Sequence, residues 1–374
     1  MKTINFITAH YLPEITACTN RILSYVNELE KHYNVNIICL SEKGITEEKT
    51  LIQHNDRIKI YYINQKEFNG KRFIVRALNE IYYIARLVLL ANKTKSDITI
   101  ATTPYMFTVP LVGYFIKGKK ILDIRDLVWE YLDKNSFAKK ILTIVMCRSM
   151  NKFDKIIVTN EYERNILENE YNKKEISIIP NGIDINRFNK LSCMEIIHNK
   201  FTVTYVGNIG LAQNIKILVM AAEMLPNVDF KIVGDGAQMK SLKNYSTACD
   251  LKNVEFTGKL DWDELKYYYQ ISSVLYAQLD EKFISAVPSK LYEYASIGLP
   301  IIFGGTGAAV NLMNELENTF IIKPNKIDEL VVTISKIHSS QISISNKNKN
   351  YIKENYLRDN VAFKLIDIIE DFND

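Results

Sequence analysis

Short apolar runs alternate with helix-patterned stretches along this chain, the alternation breaks once, and then it starts again. Ile4-Asn5-Phe6-Ile7-Thr8 reads as a first strand. Residues 19–33 follow with helical spacing through Ile22, Leu23, Val26 and Leu29. Further strands are expected at 35–40, 58–63, 98–101, 120–124, 155–159 and 176–179, with a long amphipathic helix at 73–91. Strands this apolar, each followed by a helix, are buried on both faces, which is the signature of a parallel, doubly wound sheet. Pro180-Asn181-Gly182-Ile183-Asp184 interrupts the pattern with turn residues. It resumes with strands at 201–206, 229–233, 254–257, 274–277 and 301–303, and helices at 215–225, 263–271 and 327–337. The expected fold class is therefore α/β, with two Rossmann-like doubly wound domains. In such sheets ligands bind outside the carboxyl ends of the strands, so two facing domains would enclose a cleft. Residues 1–185 are expected to form one domain and residues 186–352 the second. Residues 353–374 are expected to end in a helix packing back on the first, with Val361, Leu365, Ile368 and Ile369 on one side.

Length agrees, since 374 residues suit two domains better than one. Charge is divided between them. Residues 1–190 hold 29 Lys and Arg against 21 Asp and Glu, whereas residues 191–374 hold 18 against 22. A basic half beside an acidic half points the first toward something anionic, such as a pyrophosphate or a membrane surface. Nucleic acid is the weaker reading, because no recognised nucleic-acid motif appears. Five cysteines without a CxxC pair, and five histidines without metal spacing, give no disulfide framework or zinc motif. With a first strand expected near residue 3 and no run of about 18 apolar residues, a cytoplasmic protein is expected, peripheral at the inner membrane face.

The densest chemistry lies in residues 288–302, which read as loop, helix, glycine stop and buried strand. Pro288 and Ser289 open the helix, and Lys290 and Glu293 lie three apart near its start. A lysine at a helix N-terminus suits a phosphate, and a carboxylate one turn deeper suits a sugar diol. Gly298 ends the helix. An ordinary surface ion pair is the competing reading. Gly207-Asn208-Ile209-Gly210, with Gln213 beyond, follows a strand and precedes a helix. It reads either as a phosphate-admitting turn or as a plain connection. Gly234-Asp235-Gly236 ends the next strand, where Asp235 could reach a ligand or cap its turn. Gly258 and Lys259 end another strand and could offer atoms to a base. Asp261-Trp262-Asp263 has the spacing of a metal motif, but a helix N-cap explains it more simply. Asp123-Ile124-Arg125-Asp126 ends a first-domain strand, either aimed at a ligand or pairing to order its loop. The basic amphipathic stretch from Lys71 to Lys95 is expected mainly to cover the sheet, with a membrane-facing end.

Taken together, these segments resemble the retaining GT-B glycosyltransferases of family four, in the branch serving bacterial O-antigen, capsule and exopolysaccharide assembly. The matching residues are His10-Tyr11-Leu12-Pro13-Glu14, 123–126, 178–184, 205–213, 232–236, 254–258 and 288–302, in family order. The resemblance implies that Glu293 binds the nucleotide ribose. Lys290 and the Gly207 turn would hold the donor pyrophosphate, and Gly258 and Lys259 would lie near the base. Glu14, Arg125 and Asp126 would serve the sugar or acceptor from the first domain. Two departures stand out. The first glutamate of the family's pair falls at Ser285, and the usual arginine after the second-domain glycine is Asn208.

What the resemblance implies is transfer of a hexose or N-acetylhexosamine from a UDP-linked sugar to a lipid-linked surface glycan, with retention. No metal or other cofactor is expected. The alternatives are a GT-B epimerase, a phosphorylase, or a non-catalytic nucleotide-binding partner of another transferase, the last suggested by Ser285.

Overall fold

The computed structural model describes residues 1–13, 16–41, 50–65, 73–132, 137–173, 175–197, 200–340 and 343–372. They divide into two units, Met1–Asn181 with Arg358–Asp374, and Gly182–Leu357. Each is built on one sheet.

In the first unit the strands are β1 (Thr3–Thr8), β2 (Asn34–Ser41), β3 (Thr50–Gln53), β4 (Ile58–Asn64), β5 (Ile98–Thr102), β6 (Lys119–Asp123), β7 (Lys155–Val158) and β8 (Ile176–Ile178). They lie in the order β3-β4-β2-β1-β5-β6-β7-β8. Every pairing is parallel except β3 with β4. The pleat sorts side chains between two cores. Ile4 and Phe6 of β1, with Val35 and Ile37 of β2, pack under the helices Ala17–Leu29 and Arg358–Glu370. Ile7 and Ile38 point the other way, to a core shared with Phe73–Ala91, Thr108–Phe115, Phe137–Met150 and Glu161–Tyr171. Asn5 is polar yet buried because its amide bonds the end of the 73–91 helix, 2.8 Å from Thr94 Oγ1 and 3.3 Å from the Ala91 carbonyl. The C-terminal helix thus completes the first unit's core, with Leu365 and Ile369 fully buried.

The second unit holds β9 (Thr202–Val206), β10 (Asp229–Val233), β11 (Val254–Gly258), β12 (Val274–Gln278), β13 (Ile301–Gly304) and β14 (Thr319–Ile322), all parallel. Their order is β11-β10-β9-β12-β13-β14. The order reverses between β9 and β12, the switch point where such sheets take ligands. Most expected elements are present with ends moved by one to four residues, as at Ala17–Leu29 and Lys216–Met224. The antiparallel β3 and several short helices, among them Thr108–Phe115 and Ile185–Ser192, had no counterpart in the expected pattern.

Candidate functional site

The second unit's chemistry gathers at the carboxyl ends of β9 and β10 and on the helix Lys290–Ile297. That helix ends where the sequence said it would, with Gly298 left-handed at φ 84°. Its buried face seats Leu291, Tyr294 and Ala295 in the core. Tyr294 then reaches the end of β9, where its hydroxyl accepts from the Val206 amide at 2.9 Å. This anchorage fixes Lys290 one turn earlier.

Lys290 Nζ donates to the Tyr205 hydroxyl at 2.8 Å and lies 3.9 Å from that ring's centroid. The Tyr205 hydroxyl in turn donates to the Asn208 carbonyl at 2.5 Å. Among the described residues no carboxylate bonds the amine. Loss of hydration pushes Lys290 down from the ordinary 10.5 to about 7, with Glu293 partly opposing the shift. A side chain at Gly207 would stand 2.5 Å from Nζ, and one at Gly234 would stand 1.9 Å from the Gly207 carbonyl oxygen. Both glycines have positive φ, at 142° and 135°. The strand ends can therefore stack, with the lysine beside them, only because neither residue has a Cβ.

Two of the backbone amides in the Gly207 turn are engaged with the neighbouring strand end. The Gly207 amide donates to the Val233 carbonyl and the Ile209 amide to the Asp235 carbonyl, both at 2.9 Å. The following helix begins only at Lys216. Those two amides are thus engaged in backbone bonds, and the turn also leaves space around Lys290. Nearby, Asn208 is exposed, and its Nδ2 donates to Gln213 Oε1 at 3.3 Å across Gly210. Asp235 caps its own turn, accepting from the Gly236 amide at 2.7 Å. The Gly258 carbonyl accepts from the Gly234 amide at 2.9 Å, while Lys259 is exposed. Pro288 and Ser289 form the approach to the helix, and Ser285 is buried.

Glu293 already has protein partners. Arg187 Nε and Nη2 each reach a carboxylate oxygen at 3.2 Å, and the Tyr269 hydroxyl donates at 3.0 Å. The Arg187 guanidinium stacks 3.7 Å from the Trp262 ring centroid. Oε2 carries two of Glu293's three bonds, so the acceptor site left for a ligand hydroxyl is on Oε1. Arg187 was missed because 106 residues separate it from Glu293, and no local spacing reports such a pair. Asp261 is an N-cap, accepting from the Glu264 amide at 3.0 Å while Glu264 returns a bond to the Asp261 amide.

In the first unit the Asp123–Asp126 segment splits in two. Asp123 accepts two bonds from Arg21, at 3.0 and 2.8 Å, with both side chains buried. Arg21 also donates to the Pro180 carbonyl at 3.0 Å, so the pair ties a helix, a strand end and the connecting loop together. Arg125 and Asp126 lie just beyond, half-buried. Burial raises the Asp126 carboxyl and Arg125 opposes the rise. Arg125 Nε is buried without a hydrogen-bond partner. A further acid, unforeseen in a functional role, lies in the same region. Glu163 is fully buried, accepting from the Thr159 amide and hydroxyl at 2.8 and 2.7 Å, while its Oε1 has no partner. Desolvation lifts it to about 8 against those hydrogen bonds, with the Asp126 charge adding to the rise. Its sequence signal was present, since Asn160 and Glu163 have capping-box spacing, but that motif reports a helix start and not burial. Glu14 lies outside the described residues.

Two family models match in succession, "Glycosyltransferase Family 4" over residues 19–187 and "Glycosyl transferases group 1" over residues 194–358. One relative, 28% identical over 85% of this chain and 84% of its own length, is UDP-Gal:alpha-D-GlcNAc-diphosphoundecaprenol alpha-1,3-galactosyltransferase of Escherichia coli. The alpha-monoglucosyldiacylglycerol synthase of Streptococcus pneumoniae is 23% identical, over 83% of this chain and 73% of its own length. Among solved structures, sucrose-phosphate synthase of Thermosynechococcus elongatus superposes with a TM-score of 0.77 at 14% identity, covering 100% of this chain and 99% of that one. Anabaena HepE in complex with UDP and glucose gives 0.72 at 14% identity, covering 99% and 100%. At such identities the structures attest the fold.

Proposed function

From the premise that this chain is a GT-B glycosyltransferase akin to family four, we propose that it moves a hexose or N-acetylhexosamine from a UDP-linked donor to a lipid-linked bacterial surface glycan, with retention. The observation that carries the donor side is Lys290, an amine that bonds no carboxylate among the described residues, held at the switch point of the second sheet. In this reading Lys290 meets the diphosphate, Glu293 binds the ribose through Oε1 with Arg187 steadying it, and Gly258 and Lys259 lie by the base. In the first unit, Asp126 and Arg125 serve the acceptor. The lipid-linked acceptor is suggested by the Escherichia coli relative, whose name specifies a diphosphoundecaprenol-linked sugar, and by the Streptococcus pneumoniae relative, whose name specifies a glucosylated diacylglycerol as product.

The bond from the anomeric carbon to the diphosphate oxygen breaks as positive charge at Lys290 stabilises the leaving group. The acceptor oxygen bonds to that carbon on the face the nucleotide leaves, and its proton passes to the departing phosphate oxygen. We propose that no metal ion is required, so excess EDTA should leave the rate unchanged.

The test is a panel of UDP-hexoses and UDP-N-acetylhexosamines with a diphosphoundecaprenol-linked monosaccharide, the product's anomeric configuration being read by NMR. An α-linked lipid product from an α-linked donor is expected, and a β-linked product would overturn retention. Buried Ser285, at the place of the family's first glutamate, favours one competing reading, a nucleotide-binding partner without turnover. That reading would stand if every donor bound and none was consumed.

A further inference from the structure

We propose that one face of the first unit is a membrane-docking surface for anionic lipid, built by the helices Phe73–Ala91, Thr108–Phe115 and Phe137–Met150. These three share the same core cluster against the sheet. Their outward sides are also apolar, which is unusual for helices that already bury one face. In the first helix Ile84, Leu87 and Val88 are buried, yet Ile74, Leu78 and Leu89 are 71%, 61% and 63% exposed. In the third, Phe137, Ile141, Ile144 and Val145 are exposed at helical spacing. Between the two, Tyr114 and Phe115 are exposed at the end of the second helix. That end is tied to the first helix by Asn92 Nδ2, which donates to the Phe115 carbonyl at 2.9 Å.

Charge identifies the occupant. The three helices contain five basic residues and one acid, Glu80. Glu80 is turned inward, accepting from the Phe107 amide at 2.6 Å. The outward charges are Arg76, Arg86, Lys140 and Arg148, with Lys93 and Lys152 at the edges. Arg86 lies 5.6 Å from the Tyr82 ring centroid and Lys152 lies 5.6 Å from that of Tyr114. Exposed apolar and aromatic groups rimmed by Arg and Lys are what an interfacial helix presents to anionic headgroups. A second copy of this chain fits less well, because a two-fold contact would set the same basic rim against itself. Among the described residues no helix is long and apolar enough to cross a membrane, so the contact proposed is interfacial. It extends the lipid-linked acceptor of the proposed reaction, yet it needs neither substrate and can fail independently of it.

The experiment is co-sedimentation of the full chain with phosphatidylcholine vesicles, with and without phosphatidylglycerol, alongside sedimentation velocity without lipid. Binding to the anionic vesicles should be strong at low salt, weak on pure phosphatidylcholine, and reduced by about fivefold for each basic residue neutralised. Leu78→Asp with Phe137→Asp should abolish binding, and Arg86→Glu with Arg148→Glu should sharply reduce its dependence on anionic lipid. Melting temperatures equal to wild type certify that the variants are folded. Absence of binding by the wild type, or binding unchanged in Leu78→Asp/Phe137→Asp, would overturn the proposal. So would a wild-type dimer that these substitutions dissociate without any lipid binding.

Discussion

Donor binding above neutral pH should draw a proton onto Lys290. In the free protein the amine is held down to about 7 because burial strips its hydration while only Glu293 opposes the shift. At pH 8 about one molecule in ten carries the charge. A nucleotide diphosphate sugar has diester phosphates that do not titrate near neutrality, so any linked proton belongs to the protein. Two negative charges beside Nζ restore the ammonium form. Uptake at pH 8 is therefore about 0.9 proton per donor bound, and affinity should fall about fivefold between pH 7 and pH 8, then about tenfold per unit above that. Lys290→Met removes the linkage. It should weaken binding at pH 6.5 by about ten- to a hundred-fold, the worth of a charged hydrogen bond of about 1.5–3 kcal/mol. The deficit should shrink by pH 8.5. Titration calorimetry in two buffers of different ionisation enthalpy counts the proton directly. Equal heats in both buffers at pH 8, or Lys290→Met retaining the wild-type pH slope, would refute the reasoning.

Gly234→Ala should destabilise the second unit by more than the roughly 1–3 kcal/mol that a glycine-only backbone conformation costs, because its Cβ would stand 1.9 Å from the Gly207 carbonyl oxygen. Gly258→Ala is the control, having φ 79° but open space around the new methyl; equal urea midpoints for the two would contradict the stacking argument. Glu163 binds its proton up to about 8 when folded and up to 4.5 when unfolded, so it contributes stability below that window and loses it as pH rises through it. Glu163→Gln imitates the protonated acid, and urea unfolding at pH 5.5 and 8 should show the variant gaining on wild type at the higher pH; parallel profiles would count against the buried acid.

Legibility in the sequence followed the range of each interaction. Strands such as β1 and β9 are fixed by short stretches rich in β-branched and aromatic residues, and the stop at Gly298 by one glycine, so both could be read locally. Lys290 and Glu293 were visible because three residues bring them onto one helix face. Their immediate partners were not. Tyr205 comes from a strand 85 residues earlier and Arg187 from a helix 106 residues earlier, and only the folded sheet brings them close. Which amides of the Gly207 turn are engaged was hidden for a related reason. Whether its amides are free depends on Val233 and Asp235 of the neighbouring strand end. The second face of the helix Phe73–Ala91 was underestimated because apolar residues on all sides of a helix look, in sequence, like burial.

The central claim is that the second unit holds a nucleotide diphosphate sugar through Lys290 and Glu293. Thermal unfolding of wild type, Lys290→Met and Glu293→Gln with UDP, GDP and their hexose conjugates tests it most directly. A ligand that binds only the folded state raises the melting temperature by mass action. One nucleotide class should raise it in wild type, and the rise should shrink at equal ligand in both variants while their unliganded melts stay close to wild type. No shift with any donor, or shifts of equal size in all three proteins, would contradict the claim.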